Sequence, residues 1–346
     1  MKTNKDILIL GIESSCDETS ISVVKNGREV LSNITNSQID IHKIYGGVVP
    51  EIASRNHVLN IDAVYKEALK VAKTKIEEID AVAVTYGPGL IGSLLVGLSF
   101  AKGLSISSNI PFIGVNHIEG HIASNYISNK DLKPPFISLI VSGGHTNLVE
   151  VTSYNKFTIY GKTHDDACGE AYDKIARVLG FEYPGGPKLE KAALNGKKNK
   201  FTFPRGFIKD FEFDFTYSGL KSHVINVIHN IKQKNNDIID EQTISDIALE
   251  FQNSIIDSLV DRTINLSKKL NINKVAICGG VSANNAIKSA LNNKCIENNI
   301  EFYYPENKYC TDNGAMIASA GYFEYLNNNF SNLDLNADAN LEFKNK

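Results

Sequence analysis

The sequence of 346 residues is poor in cysteine, and its cysteines are not arranged as bridges or clustered ligands. No C-x-x-C pair occurs, and the total of five is odd. A secreted disulfide framework needs paired cysteines at short spacings, so this distribution indicates reduced thiols in a cytosolic protein. The scattered cysteines are Cys16, Cys168, Cys278, Cys295 and Cys310.

A strong charge of one sign is also missing. The formal net charge is −3, so no global basic field favours nucleic acid or a membrane surface. Any contact with a nucleic acid must therefore use a local patch. The densest basic segment is residues 188–209, with seven basic residues and the single acid Glu190. Its composition favours a solvated surface, with a nucleic-acid surface as the alternative.

Long hydrophobic runs are absent as well. The first twelve residues contain only the apolar run 7–10, which is too short for a signal peptide. The most apolar predicted helix, about residues 90–104, is interrupted by Gly92, Gly97 and Gly103 and falls short of a membrane span. We therefore expect a cytoplasmic protein without a membrane partner.

Two common nucleotide-binding motifs are missing. There is no G-x-x-x-x-G-K-[ST], which excludes a P-loop protein. No G-x-G-x-x-G follows a strand near residue 10, which argues against dinucleotide binding.

What the chain does contain is a similar order of elements in each half. A hairpin with a polar tip is predicted at 7–24 and again at 136–151. A strand, a glycine turn and a helix are predicted at 79–104 and again at 274–291. At about 150 residues per domain, the length also favours two domains. The pattern predicts two related α/β lobes with a cleft between them, and a mostly helical insert over 164–270.

The segment 116–121 (NHIEGH) is the first candidate site. Asn116 follows a predicted buried strand and can cap a helix. On that helix His117 and His121 lie on one face, four residues apart, where both can reach one metal ion. Two unrelated histidines near a helix start are an equally good interpretation of this pair alone.

A third ligand must come from elsewhere. Asp312 stands between a predicted strand and a predicted helix, where a carboxylate can be held by the backbone. From the residues alone, an N-cap role for Asp312 is favoured over a ligand role. Cys310 is another possible ligand, although a lone thiol is more often a small buried residue.

Glycine turns provide a second candidate site. Ser142, Gly143 and Gly144 lie at a predicted hairpin tip, where bare backbone N–H groups can hold an anion. Gly279 and Gly280 precede a predicted helix N-terminus, which favours phosphate. Together these turns indicate a nucleotide.

The motifs in sum resemble one family. They occur in order at 11–19 (GIESSCDET), 87–89 (GPG), 116–121, 142–146 (SGGHT), 171–174 (AYDK), 183–187 (YPGGP), 218–221 (SGLK), 279–284 (GGVSAN) and 310–316 (CTDNGAM). The chain resembles the TsaD family over about residues 6–324. These are the bacterial tRNA N6-adenosine threonylcarbamoyltransferases, once described as O-sialoglycoprotein endopeptidases.

The resemblance implies an α/β, actin-like (Hsp70/hexokinase-type) ATPase fold, with two related lobes around a central cleft. The first lobe is expected at residues 1–115 plus 308–346, and the second at 116–307 with the helical insert 164–270. The composition of the Asn-rich segment 327–346 predicts an irregular and partly mobile end. Residues 333–336, however, resemble the family sequence, which implies that the segment packs on the protein.

The resemblance also implies roles for named residues. His117, His121 and Asp312 would bind one divalent metal, most often Fe(II), although the same ligands take zinc. Asp17 and Glu18 match acidic residues implicated in activity. Glu190 stands where the family often has Asp. The site for an adenylate or ATP-type ligand would comprise Ile140, Val141, Ser142, Gly143, Gly144, Asp173, Gly186, Glu190 and Asn284.

The implied reaction is transfer of a threonylcarbamoyl group from threonylcarbamoyl-AMP to N6 of adenosine 37, in tRNAs reading codons that begin with A. The products are t6A and AMP. Expected partners are the tRNA anticodon stem-loop, a paralogous TsaB-type subunit and a TsaE-type ATPase. A metallopeptidase is an alternative, but Ile118 stands where H-E-x-x-H needs glutamate. A non-catalytic ATP-binding scaffold and a sugar kinase are the others.

Overall fold

The computed structural model describes residues 6–206, 208–343 and 345. In these residues the strands are β1 (Leu8–Glu13), β2 (Glu18–Lys25), β3 (Glu29–Ser37), β4 (Ala81–Gly87), β5 (Phe112–Asn116), β6 (Phe136–Val141), β7 (Thr146–Ser153), β8 (Lys156–Lys162), β9 (Lys274–Cys278) and β10 (Glu301–Tyr303). The helices are α1 (Ile39–Lys43), α2 (Pro50–Ala72), α3 (Ile91–Ser108), α4 (His117–Ser128), α5 (Cys168–Val178), α6 (Gly186–Ala193), α7 (Ser218–Lys234), α8 (Glu241–Leu270), α9 (Asn285–Glu297) and α10 (Gly314–Leu326).

The chain divides into two compact units. Unit 1 comprises Met1–Pro134, Thr152–Lys156 and Pro305–Lys346, and unit 2 comprises Pro135–Val151 and Phe157–Tyr304. Each contains one five-stranded sheet, in the order β3-β2-β1-β4-β5 and β10-β9-β6-β7-β8. The expected repetition of architecture is therefore confirmed. The predicted cleft concerns the relation between the units and stays a prediction.

The first sheet is covered on both faces. β1 pairs antiparallel with β2 and parallel with β4, which itself pairs parallel with β5. Leu10 and Ile12 face the core formed with α2 and α3. Gly11 faces α10, where an added Cβ would lie 2.1 Å from the carbonyl oxygen of Gly314. The carboxyl ends of three parallel strands thus meet at one edge of the sheet, where such folds usually place ligands.

The second sheet repeats this arrangement. β6 pairs antiparallel with β7 and parallel with β9, which pairs parallel with β10. The long helix α8 packs its buried face into the unit 2 core through Phe251, Ile255 and Leu259. The predicted insert is largely helical, as expected, with α5 to α8 inside residues 164–270.

The boundary between the units differs from the prediction. Unit 1 extends to Pro134 instead of ending at residue 115, so α4 belongs to it. The reason is close packing of α4 on α10, where a Cβ at Gly120 would lie 2.6 Å from the side chain of Ile317. The sequence-based boundary fell between β5 and α4, although these elements are consecutive and both pack on α10.

The C-terminal segment packs on unit 1. The backbone N–H of Ser331 donates to the carbonyl of Phe112, and that of Asp338 donates to the carbonyl of Tyr86. The segment is irregular, as its composition predicts, and it packs, as the family resemblance implies. Residues 344 and 346 lie outside the described residues.

Helix α3 is longer than the sequence pattern predicted. By length and composition alone it is apolar enough to cross a membrane, with a mean hydropathy of 1.3 over 18 residues. It also packs on α2 and β4. Because core helices of globular proteins pass the same test, its composition is weak evidence for a membrane span.

Candidate functional site

Three side chains of unit 1 converge above the edge of the first sheet. The Nε2 atom of His117 lies 3.4 Å from Oδ1 of Asp312, and Nε2 of His121 lies 3.3 Å from the same oxygen. The imidazole rings meet edge to face, with centroids 4.6 Å apart. These residues come together in a group that could hold a metal ion.

The beginning of α4 is fixed as the sequence predicts. Asn116 is the N-cap, and its Oδ1 accepts a hydrogen bond of 2.8 Å from the backbone N–H of Ile118. The cap starts the helix at His117, so His117 and His121 fall on one face. Arg28 secures the other end of this region by donating to the carbonyls of Tyr126, Asn129 and Leu132.

Asp312 is a member of the cluster and not the helix cap. The N-cap of α10 is Asn313, whose Oδ1 accepts from the backbone N–H of Met316 at 2.9 Å. The N-cap interpretation of Asp312 is therefore wrong by one residue. Cys310 is buried, and its thiol lies near the carbonyl oxygens of Pro305 and Glu306. Its role is that of a small buried residue.

The buried carboxylate of Glu13 orients His117. Oε2 of Glu13 lies 3.1 Å from Nδ1 of His117, and it also accepts from the hydroxyl of Thr85 at 2.6 Å. A carboxylate can only accept here, so Nδ1 carries the proton, and Nε2 of neutral His117 presents its lone pair towards Asp312. A carboxylate behind a histidine ligand is the usual support of a metal site.

Charge is concentrated in this cluster. Burial alone would lower the pKa of His117, but Asp312 and Glu13 outweigh it and hold that pKa well above its usual value. Burial would raise the pKa of Asp312, but His117 and His121 hold it far below its usual value. A proton on His117 thus balances the carboxylates, and a divalent cation would supply the same balance by displacing it.

The residues fit a metal ion. Ligand atoms about 2.1 Å from a metal lie about 3.0–3.4 Å apart for octahedral to tetrahedral angles, which matches the two distances to Asp312. His121 is 1% exposed, and its Nε2 faces the Asp312 carboxylate at 3.3 Å without good hydrogen-bond geometry. A metal ion between these two atoms would give the buried nitrogen a ligand bond and lower the cost of burying it.

Two further carboxylates lie at the tip of the β1–β2 hairpin. Asp17 is buried, and Glu18 begins β2, where its Oε1 accepts from the hydroxyl of Ser37 at 3.1 Å. Burial, Asp17 and Asp312 together raise the pKa of Glu18 well above its usual value. A carboxyl with a raised pKa is a stronger base once ionised.

Unit 2 presents a different kind of surface, at the turn between β6 and β7. Gly143 and Gly144 are exposed, and a Cβ at either position would meet no atom within 4 Å. Two glycines lie close to this turn and have no such room. A Cβ at Gly169 would lie 2.7 Å from the carbonyl oxygen of Ser142, and one at Gly279 would lie 2.3 Å from that of Val141.

The remaining predicted ligand residues hold nearby helix ends together. Oδ1 of Asp173 accepts from the backbone N–H groups of Gly185 and Gly186, at 2.8 and 3.1 Å. Burial raises the pKa of Asp173, although these two N–H groups oppose the shift. Oε1 of Glu190 accepts from the backbone N–H of Asn285 at 2.8 Å, at the start of α9.

Comparison with known proteins identifies the family. The family model described as TsaD, tRNA N6-adenosine threonylcarbamoyltransferase, matches residues 29–319. The enzyme of that name from Caldicellulosiruptor saccharolyticus is 54% identical over 331 residues, which cover 96% of this chain and 97% of the relative. The chain belongs to the TsaD family. The namesake from Clostridium kluyveri is 52% identical over 340 residues, covering 98% of both chains.

Solved structures agree on the fold. The HypF protein of T. kodakarensis superposes with a TM-score of 0.64 at 15% identity, over 94% of this chain and 48% of that one. Component A of the (R)-2-hydroxyglutaryl-CoA dehydratase of Acidaminococcus fermentans gives 0.51 at 15% identity, over 92% and 99%. The predicted actin-like ATPase fold is confirmed.

As a TsaD-family transferase, the chain forms N6-threonylcarbamoyladenosine in tRNA. The predicted activity is confirmed over the metallopeptidase, scaffold and sugar-kinase alternatives. The same relatives do not test the individual site residues, whose roles remain predictions.

The structure separates the predicted TsaD ligand residues into two kinds. Ser142, Gly143, Gly144 and Gly186 lie on turns or helix ends that a ligand can approach through the backbone. Ile140 and Val141 are buried in β6 and pair with Asn147 and Thr146 of β7, so their side chains belong to the core. The side chain of Asn284 is already hydrogen-bonded within unit 2. Its Oδ1 caps α9 by accepting from the N–H of Ile287, and its Nδ2 donates to Gln252.

The sequence reasoning missed Glu13 and Gly169. Glu13 lies inside the matched motif 11–19, and a charged residue at the end of an otherwise apolar strand was the available signal. Gly169 had no signal in the sequence, because its contact with Ser142 joins residues distant in the chain.

Proposed function

We propose that His117, His121 and Asp312 bind one divalent metal ion, and that Fe(II) is the physiological ion. Two histidines and one carboxylate are the set typical of non-haem iron(II), and zinc is the main competitor. The observation that carries this proposal is the buried, convergent triad with Glu13 behind His117. A metal held there would polarise the carbonyl oxygen of the transferred group.

Glu18 is the proposed general base, with Asp17 as its neighbour. The N6 amine of adenosine 37 attacks the carbonyl carbon of threonylcarbamoyl-AMP, and the bond from that carbon to the AMP oxygen breaks. The proton lost from N6 passes to the Glu18 carboxylate. The raised pKa of Glu18 supports this role, because it brings the carboxylate closer to the basicity of a useful proton acceptor.

Unit 2 is the proposed adenylate-binding unit. Gly143 and Gly144 leave open space for a phosphate, and Gly169 lies at the first turn of α5 beside them. Gly186 opens α6, and Asn284 caps α9. Helix N-termini and free backbone N–H groups favour a negative ligand, which supports binding of the phosphate of threonylcarbamoyl-AMP.

Part of the basic segment 188–209 is the proposed tRNA surface. Arg205 is neutralised by Glu250 and Asp257, and Lys188 by Glu182, so these two are unsuited to phosphate binding. In the described chain Lys191, Lys197, Lys198 and Lys200 are exposed and make no ion pair. Such lysines would position the anticodon stem-loop without reading its sequence.

A paralogous TsaB-type subunit is the proposed partner of the α2–α3 face. Val58 and Leu59 on α2 are 63% and 77% exposed, and Ile91 and Leu95 on α3 are 49% and 41% exposed. Ser54 of α2 packs beside Gly92 of α3, so the two helices that carry these exposed side chains pass close to each other. Exposed apolar area of this kind often marks a protein interface. We also propose that a TsaE-type ATPase is a second partner and that the protein is cytoplasmic.

Reconstitution tests the function. The purified chain and its proposed TsaB-type and TsaE-type partners are incubated with tRNA, threonylcarbamoyl-AMP and ATP, and nucleosides are analysed by mass spectrometry. We expect t6A in the wild-type reaction and none with His117→Ala. Equal t6A in both reactions would contradict the proposed metal site, and no t6A with wild type would contradict the proposed set of partners.

A further inference from the structure

A fully buried histidine holds the hairpin tip that carries Asp17 and Glu18. His57 lies on α2 and is 0% exposed. Its Nε2 is 2.9 Å from the carbonyl oxygen of Cys16, and its Nδ1 is 2.7 Å from the hydroxyl of Thr19. The imidazole therefore spans the tip, with one bond just before the two carboxylates and one just after them.

The chemistry of the two partners fixes the imidazole. The carbonyl of Cys16 can only accept, so Nε2 carries the proton and Nδ1 of neutral His57 accepts from Thr19. Burial lowers the pKa of His57, which favours this neutral form. The titratable groups that face His57 are Glu13 and Asp17 from the hairpin and His42 from α1.

Bonds from β3 and its end hold the other side of the tip. The backbone N–H of Gln38 donates to the carbonyl of Asp17 at 3.1 Å, and the hydroxyl of Ser37 donates to Glu18 at 3.1 Å. Gln38 in turn donates to the carbonyl of Ala53 on α2, and the carbonyl of Ser15 accepts from the N–H of Leu90 before α3. The two His57 bonds join Cys16 and Thr19, the residues that flank Asp17 and Glu18, directly to α2.

We infer that His57 is a positioning residue for threonylcarbamoyl transfer, acting through the placement of Asp17 and Glu18. This inference rests on the proposed role of those carboxylates. A general base works only within hydrogen-bond reach of the proton that it removes, and a misplacement of about 1 Å can cost about 100-fold in rate.

The test compares variants of His57 with a matched buried histidine. His57→Ala removes both bonds, whereas His57→Gln can still donate to Cys16 and accept from Thr19. Thr19→Val removes one bond with little change in shape. His42→Ala is the control for loss of a neighbouring buried imidazole, because the His42 side chain is also 0% exposed but its Nδ1 accepts from the N–H of Val49 and not from the tip.

Single-turnover transfer is measured against pH, together with metal content and threonylcarbamoyl-AMP binding. We expect His57→Ala to slow transfer about 10- to 100-fold. Thr19→Val should slow it several-fold, and His57→Gln should stay within a few-fold of wild type. Metal and adenylate binding should persist in all of them. Releasing the tip would admit water to Glu18, so the acid limb of the pH profile should move to lower pH in His57→Ala and not in His42→Ala.

The outcomes separate the two proposals. An unmoved acid limb, or loss of metal and adenylate binding in step with transfer, would reduce His57 to a structural residue and overturn the inference. Wild-type transfer in His57→Ala and Thr19→Val would overturn it as well. Wild-type transfer in Glu18→Gln would instead remove the proposed base, whatever His57 does.

Discussion

The candidate metal centre of unit 1 consists of side chains, whereas the glycine-lined surface of unit 2 consists of backbone. The unit 1 centre is made of ionisable side chains that are nearly all buried and that balance one another's charge. His117, for example, faces both Glu13 and Asp312. The unit 2 surface is made of backbone at turns and helix ends, where Gly143 and Gly144 are exposed.

This difference determines how each region should respond to mutation. In a buried cluster, removing one partner leaves an uncompensated charge, which typically destabilises a protein by about 3–5 kcal/mol. At an exposed backbone surface, a new Cβ changes shape without changing charge. Variants of unit 1 should therefore alter metal content, pH dependence and stability together, whereas variants of unit 2 can alter ligand affinity alone.

The largest effect is expected from His121→Ala. It removes one of the three proposed ligands, so bound metal should fall to a small fraction and transfer should fall by about 1,000-fold or more. Elemental analysis and single-turnover transfer measure both. His42→Ala, another buried histidine of unit 1, should keep its metal. Unchanged stoichiometry in His121→Ala would show that the cluster is not the metal site.

Next comes Glu18→Gln, which keeps the shape of the side chain and removes its charge. Transfer should slow by about 100-fold, while threonylcarbamoyl-AMP binding persists. A base must be ionised to accept a proton, and burial and Asp17 raise the pKa of Glu18. The wild-type rate should therefore rise with pH through that raised pKa. In the variant this limb should disappear, and a rate within a few-fold of wild type would rule out the base.

A smaller effect, confined to binding, is expected from Gly143→Ala. The protein itself leaves room for the new methyl group, so the melting temperature should not change. If the adenylate approaches the backbone here, its affinity should weaken about 10-fold. Gly169→Ala is the matched variant, because its Cβ would lie 2.7 Å from the Ser142 carbonyl and should lower stability as well. Normal binding by Gly143→Ala would exclude the turn from the ligand site.

The smallest effect is expected at the basic surface. Replacing Lys197, Lys198 and Lys200 together by Gln should weaken tRNA binding several-fold and make it less dependent on salt, because fewer counterions are released. The control replaces Lys73, Lys75 and Lys130, three exposed lysines of unit 1 that make no ion pair in the described chain. Equal losses in both triple variants would identify a general charge effect and not a docking surface.

The parts of this structure that depend on local sequence could be predicted. The strand 136–141 matches β6 at both ends, and Asn116 caps α4 because a cap needs only its own helix. The i, i+4 histidine pair is local in the same sense. These features require no knowledge of what packs against them.

The parts that depend on tertiary contacts could not. Asp312 and Asn313 are adjacent and both suit an N-cap, so only the positions of His117 and His121 decide which one faces the cluster. Glu13 lies 3.1 Å from His117 in space, but the two are far apart in the chain. The boundary after residue 115 failed for the same reason, since α4 packs on a helix from the opposite end of the sequence.

The division of unit 1 into distant segments has a consequence for biosynthesis. His117 and His121 are synthesised before unit 2 begins, whereas Asp312 follows the whole of unit 2. At about 5–20 residues per second, the intervening stretch of about 190 residues takes about 10–40 s to translate. The nascent chain therefore carries only two of the three proposed ligands throughout that time. On the proposed assignment, a complete metal site forms only near the end of synthesis, in a nearly complete polypeptide.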